Sequence, residues 1–228
     1  LLVANLFSQF SFGDVEKVAL MINFMSVLCS AGTILFLFWT IKRLADKMVE
    51  NEHMTILSAA IGSLIYTFSD SFWFSAVEGE VYAMSSFFTA VVFWAIVKWE
   101  SQINRDKKAD KWLIFIAYLI GLSIGVHMLS LLVIPAIVLI YYFKKFPFSW
   151  NSFFLANIVA ILILGLIYNI IIPEFVNLAG KLEIFFVNEW GLPFNSGTIF
   201  FFSVTTFIIT TSLILSKKYN YYTINTCT

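Results

Sequence analysis

In the stretch 69–88, SDSFWFSAVEGEVYAMSSFF, three carboxylates (Asp70, Glu78 and Glu80) stand in an otherwise oily chain. Acids at the edge of an apolar region suit a site that binds a sugar or takes the proton of a hydroxyl. A helix beginning near Val77 would put Glu78 and Tyr82 on one face at i and i+4, and would turn Glu80 roughly 200° away from Glu78. Both acids could then face one pocket only if Gly79 breaks the helix; otherwise one serves the site and the other meets water. Acids that simply favour a helix N-terminus, worth about 0.3–1 kcal/mol, account for the same residues. Phe72, Trp73 and Phe74 suit the aromatic belt of a membrane interface.

His127 follows GLSIG, in which Gly121 and Gly125 are four apart, a spacing that lets helices approach closely. An ionisable ring in an apolar hairpin calls for a partner: a lipid phosphate, one of the carboxylates, or an ordinary hydrogen bond inside the bundle. The stretch 181–197, KLEIFFVNEWGLPFNSG, adds Asn188 and Trp190. It reads as an interfacial helix lying flat on the membrane, either a connector or part of a wall that meets a lipid-linked substrate. His53, beside Glu50 and Glu52, reads as solvated.

These residues have to be positioned by membrane helices. The chain of 228 residues is 60% hydrophobic and 12% charged, with 26 Phe and a mean hydropathy of +0.88, far from the makeup of soluble domains. In hydrocarbon the backbone must satisfy its own hydrogen bonds, and the two-residue alternation of barrel strands is absent, so the uncharged runs read as helices. The expectation is an all-α, polytopic transmembrane helical bundle, one domain over 1–228. Its spans fall at about 18–41, 54–69, 81–97, 112–124, 128–143, 151–172 and 198–216. The uncharged run 112–143 would reach roughly 48 Å as one helix, against a hydrocarbon core of about 30 Å, so it reads as a hairpin with its tip near Gly125 to His127.

Charge then orients the chain. With residues 1–17 outside, the hairpin places Lys42, Arg43, Lys47, Lys98, Arg105, Lys107, Lys108, Lys111, Lys144, Lys145, Lys217 and Lys218 inside, leaving Lys17 and Lys181 outside. Segments 10–17, 70–80, the tip at His127 and 173–197 share the outer side. Short juxtamembrane basic clusters exclude a nucleic-acid surface. Walker loop, dinucleotide fingerprint, Gly-x-Ser-x-Gly elbow and metal-spaced His/Cys clusters are missing. Cys29 and Cys227 lie too far apart to suggest a disulfide framework, and no signal peptide is recognised. A transporter or flippase for a lipid-linked or small solute would use the same acids and His127 as coupling groups; one-sided polarity favours an enzyme.

At FWFSAVEGEVYAMSSFFTAVVFW, GLSIGVHMLSLLVIPA and FFVNEWGLPFNSG the chain resembles a bacterial family first described as a domain of unknown function. A eukaryotic branch consists of membrane protein O-mannosyltransferases acting on plexin-type receptors. The resemblance implies a glycosyltransferase of the C-type fold, moving a sugar, expected to be mannose, from a polyprenyl-phosphate donor to a Ser/Thr hydroxyl of an acceptor protein. It implies no metal or other cofactor, and it maps Glu78, Glu80, Tyr82 and His127 onto family positions. An acidic base in a first outer loop is expected upstream of Leu1, so the catalytic base is unassigned here, Glu78 and Glu80 are its candidates within the chain, and the chain alone is expected to be inactive. Asp70, Tyr82, His127, Asn188 and Trp190 are the expected substrate-binding residues. The Phe, Ile, Asn and Lys bias suits an AT-rich bacterial genome, hence a multi-pass inner-membrane protein with a periplasmic active side.

Overall fold

The computed structural model describes residues 2–103, 109 and 111–218; Arg105, Lys107, Lys108 and Cys227 lie outside the described residues. Its regular elements are helical: α1 (Leu2–Ser8), α2 (Val15–Ala45), α3 (Glu52–Thr67), α4 (Asp70–Val77), α5 (Val81–Gln102), α6 (Lys111–Ile124), α7 (Val133–Lys145), α8 (Trp150–Leu166), α9 (Ile172–Asn188) and α10 (Ser196–Lys218). Short 3-10 turns at Gln9–Ser11 and Met128–Leu132 and a π turn at Ile167–Ile171 complete it. Local chemistry sets the starts. Asp14 accepts from the Glu16 N–H ahead of α2, Asn51 from the His53 and Met54 N–H groups ahead of α3, and Ser149 from the Ser152 N–H ahead of α8.

Among the described residues four stretches are long and apolar enough to cross a membrane: Glu16–Ala45, Val81–Gln102, Met128–Lys145 and Trp150–Asn188. Lys111–Ile124 is apolar but shorter, and α3, expected as the span 54–69, has 16 residues. Such helices leave large side chains exposed, as at Ile161 and Leu162, because lipid rather than protein covers them.

The chain divides into two compact units, 1–144 and 145–228. In the first, α5 is the hub. Val92, Ala95, Ile96 and Trp99 are buried along it, with Ile116, Leu119 and Val133 from the following helices. α2 runs parallel to α5: Gly32 receives the Phe87 ring, Phe36 packs edge-on to Trp94, and Lys47 pairs with Glu100. α6 returns along α5, starting where Trp112 meets Trp94, while α7 runs with α5 to the Trp99–Tyr141 stack and the Lys144–Glu100 pair at 3.1 Å. The chain therefore reverses between α6 and α7, at the Gly125 to His127 tip.

Three expectations need correction. Segment 70–80 is not a loop, because Asp70–Val77 forms α4, and the next helix starts at Val81 rather than near Val77. Segment 173–197 is not an outer loop either. The helix entering at Trp150 continues to Asn188, and only 189–195 reverses it. Pro173 would normally break such a helix by its missing N–H and its clash with the carbonyl four residues back. Here the π turn before it widens the ladder, with Ile172 N–H donating to Ile167 O, and Pro173 falls in the first turn of α9. Residues 181–197 are consequently the end of α9, a turn and the start of α10, not one flat helix.

Candidate functional site

Glu78, Gly79 and Glu80 form a three-residue break between α4 and α5 that lies directly against α2. A Cβ on Gly79 would stand 2.8 Å from Asn23 Oδ1 and 2.9 Å from Ile22 Cγ2, so only glycine lets the break sit this close. Glu78 leaves α4 in extended conformation (φ −87°, ψ 139°), its N–H donating to Phe74 O. Glu80 enters α5 the same way (φ −109°, ψ 175°). Although Glu80 occupies the capping position of α5, its carboxylate makes no capping bond. Capping therefore does not explain this acid. Both glutamates are exposed, and among the described residues neither carboxylate is engaged by a hydrogen bond or an ion pair. The helix break is the arrangement in which the two acids are not forced apart by the helical period.

Two residues after Glu80, Tyr82 meets His127 ring to ring, centroids 5.5 Å apart. The tip that carries His127 is tied down from both sides. Its N–H donates to Ser123 O at 2.9 Å, and the Ser85 and Ser130 hydroxyls bond at 2.9 Å across to α5. His127 Nδ1 accepts from the Leu129 N–H at 3.1 Å, capping the following 3-10 turn. That bond occupies the Nδ1 lone pair, so the neutral ring carries its proton on Nε2 and offers a donor there. His127 is thus both a local cap and a half-buried donor beside Tyr82.

Asp70 is not part of this group. It opens the eight-residue α4, about 10 Å along the helix from the Glu78 end, and is exposed. Phe72, two residues on, is buried against Tyr66 (4.6 Å), whereas Trp73 and Phe74 are exposed, Trp73 stacking on Phe68.

Further along α5, a cavity of about 640 Å³ opens between α2, α3 and α5, with Leu129 at one end. Thr33, Thr40, Gly62, Tyr66, Ser85 and Thr89 contribute to its walls. The Thr33, Thr40 and Thr89 hydroxyls donate to Cys29 O, Phe36 O and Ser85 O of their own helices, so they offer no donors to an occupant. Such a slot suits hydrocarbon. Sequence reading passed over it, because its wall residues look like ordinary small and apolar span positions.

Asn188 and Trp190 belong to the second unit. Asn188 ends α9 and is exposed, and Trp190 packs on Phe186 (4.7 Å) and Phe185 (5.2 Å). Gly191 takes φ +64° to reverse the chain. Sequence reading missed Glu183 there. Its carboxylate accepts from the Asn195 N–H, the Thr198 N–H (2.8 Å) and the Thr198 hydroxyl (3.1 Å), capping α10 from the neighbouring helix. The helix-start residues Asn-Ser-Gly-Thr at 195–198 were the available signal. Gly197 allows the approach, since a Cβ there would stand within van der Waals overlap of the Leu182 and Glu183 backbone. Among the described residues no three His, Cys, Asp or Glu side chains group so as to hold a metal ion.

Relatives put this arrangement in context. No solved structure matches the chain. A protein of Dictyostelium discoideum described as protein O-mannosyl-transferase tmem260 is 28% identical over 171 residues, covering 71% of this chain and 20% of the relative. The chain therefore spans about a fifth of the length of the curated relative it matches. The family model for the protein O-mannosyl-transferase TMEM260 N-terminal domain matches residues 1–151, which include α1 to α7 with the two-acid break, Tyr82 and His127. The chain, an all-α membrane-helix protein, belongs to that family of TMEM260 N-terminal domains.

Proposed function

We propose that this chain forms part of a membrane O-mannosyltransferase that moves mannose from a polyprenyl-phosphate donor to a Ser/Thr hydroxyl of an acceptor protein. Family membership supports the reaction class, and one geometric observation carries the site: Tyr82 and His127 meet at the same end of α5 as the unpaired carboxylates of Glu78 and Glu80. The acceptor hydroxyl oxygen attacks the anomeric carbon and its proton passes to a carboxylate. The bond from that carbon to the phosphate oxygen breaks with inversion, and the lipid phosphate leaves. His127 donates from Nε2 to a departing phosphate oxygen, a role that matches the proton position its Leu129 bond imposes. Glu78 and Glu80 are this chain's candidates for orienting sugar or acceptor hydroxyls or for taking the proton, and Tyr82 hydrogen-bonds beside them. The hydrocarbon of the donor lies in the cavity between α2, α3 and α5, whose wall at Ser85 and Thr89 begins one turn beyond Tyr82. The working face is the outer one, periplasmic in a bacterial inner membrane.

The test is transfer by membranes carrying the full-length protein, with mannosyl-phosphoryl-polyprenol and an acceptor peptide. Glu78→Gln and Glu80→Gln are each expected to abolish transfer without loss of membrane insertion. Wild-type turnover in both variants removes the two acids from the mechanism. Lipid or solute translocation in reconstituted vesicles without covalent transfer decides for a transporter.

A further inference from the structure

At the end of α5 away from the two-acid break, two cations form no ion pair with any carboxylate among the described residues. Arg43 of α2 reaches α5 and donates from Nη1 to the Ser101 hydroxyl at 3.1 Å. Lys98 of α5 places its ammonium over the rings of Trp94 (4.6 Å) and Trp112 (4.8 Å). Both are half-buried, and the two positive charges lie close enough to act on each other. Among the described residues no carboxylate forms an ion pair with either: Glu100 is held by Lys47 and Lys144, and Asp46, whose charge also acts on Arg43, is paired with Lys42. Two like charges brought together in partly desolvated surroundings are costly unless an anion joins them.

We propose that Arg43 and Lys98 bind the phosphate of an anionic glycerophospholipid at the membrane face opposite the Glu78–Glu80 break. Arg43 has one N–H committed to Ser101, leaving the rest of its planar fork for two phosphate oxygens, while Lys98 adds a point charge held in place by the two indoles. The Trp112 indole N–H is engaged by Gln102 Oε1 at 2.7 Å, which fixes the ring that faces the ammonium. A lipid rather than a soluble anion is the occupant because both cations project from the ends of membrane-spanning helices in a tryptophan-rich band, with Trp39 and Trp94 alongside. This is the depth at which headgroups lie, and acyl chains then continue along the exposed apolar helix faces. The site is independent of the transfer reaction.

Native mass spectrometry of the purified chain, with phosphatidylglycerol and phosphatidylcholine supplied in equal amounts, tests this. Wild type is expected to retain phosphatidylglycerol about tenfold better. Arg43→Gln and Lys98→Met should each erode that preference several-fold, and the double variant should remove it while phosphatidylcholine retention stays the same. Equal retention of the two lipids by wild type overturns the proposal, as does an undiminished preference in the double variant. Displacement of the lipid by millimolar inorganic phosphate makes this a soluble-anion site and overturns the lipid assignment. Should the variants fail to fold, tryptophan quenching of the wild type by brominated lipids still decides: brominated phosphatidylglycerol must quench more than brominated phosphatidylcholine at the same mole fraction, and equal quenching sinks the site.

Discussion

His127 of the α6–α7 tip lies ring to ring with Tyr82 in the first turn of α5, and its Nδ1 is already spent on the Leu129 N–H. Cap and donor can therefore be separated by substitution. His127→Asn keeps an N-capping side chain but removes the Nε2 donor, so the thermal transition in detergent should stay near wild type while transfer by the full-length protein falls. His127→Ala loses the cap as well and should cost about 1 kcal/mol. Equal activity in His127→Asn and wild type would exclude the donor role.

Gly79→Ala should push the two-acid break away from α2, because the new methyl meets Asn23 Oδ1 and Ile22 Cγ2. The expected loss is about 1–3 kcal/mol, read from thermal unfolding. Shortening Asn23 to Ala in the same chain should restore part of it, and the double-mutant cycle measures the coupling. Additive effects would mean that the break does not rest on Asn23.

Removing Glu183 should loosen the start of α10. Glu183→Ala leaves the Asn195 and Thr198 N–H groups without their carboxylate, so amide exchange should accelerate at 195–199 and not in the buried part of α5. Glu183→Gln, which keeps one acceptor oxygen, should fall between.

Asp46, in the connection from α2 to α3, has its carboxyl held below the usual carboxylate range by the Thr55 hydroxyl and by Lys42. Since the folded state lowers this group's pKa, its contribution is present above the unfolded carboxylate value and is lost as pH falls through the folded one. Melting temperature measured from about pH 6 down to pH 3 should therefore drop less steeply in Asp46→Asn than in wild type. Parallel curves would remove Asp46 from the acid response.

Glu100 joins α2 to α7 by accepting from Lys47 and Lys144. Glu100→Gln should destabilise the first unit by about 1–2 kcal/mol, a value for a partly exposed pair. High salt should shrink the difference between variant and wild type, because ions screen the pairs.

Much of this protein follows from composition along the chain. A backbone in hydrocarbon has to bond to itself, so each long uncharged run became helix, and the kink at Gly125 to His127 fell where one run was too long for a single crossing. Charge along the chain likewise separates the ends of the first unit, with Lys42, Arg43, Lys47, Lys98 and Lys144 away from Glu78 and Glu80, because ionised groups avoid oil whatever their neighbours. Which polar groups meet was decided by tertiary structure. The Tyr82–His127 contact, the seating of Gly79 on Asn23, the Glu183 cap and the Arg43–Ser101 bond beside Lys98 each need two segments at one helix rotation and height. Hydropathy places a residue within a span, but it carries no information about the angle at which a neighbouring helix presents its partner. The passage of Pro173 within a continuing helix has the same origin, since one shifted hydrogen bond at Ile172 absorbs what the local propensity forbids.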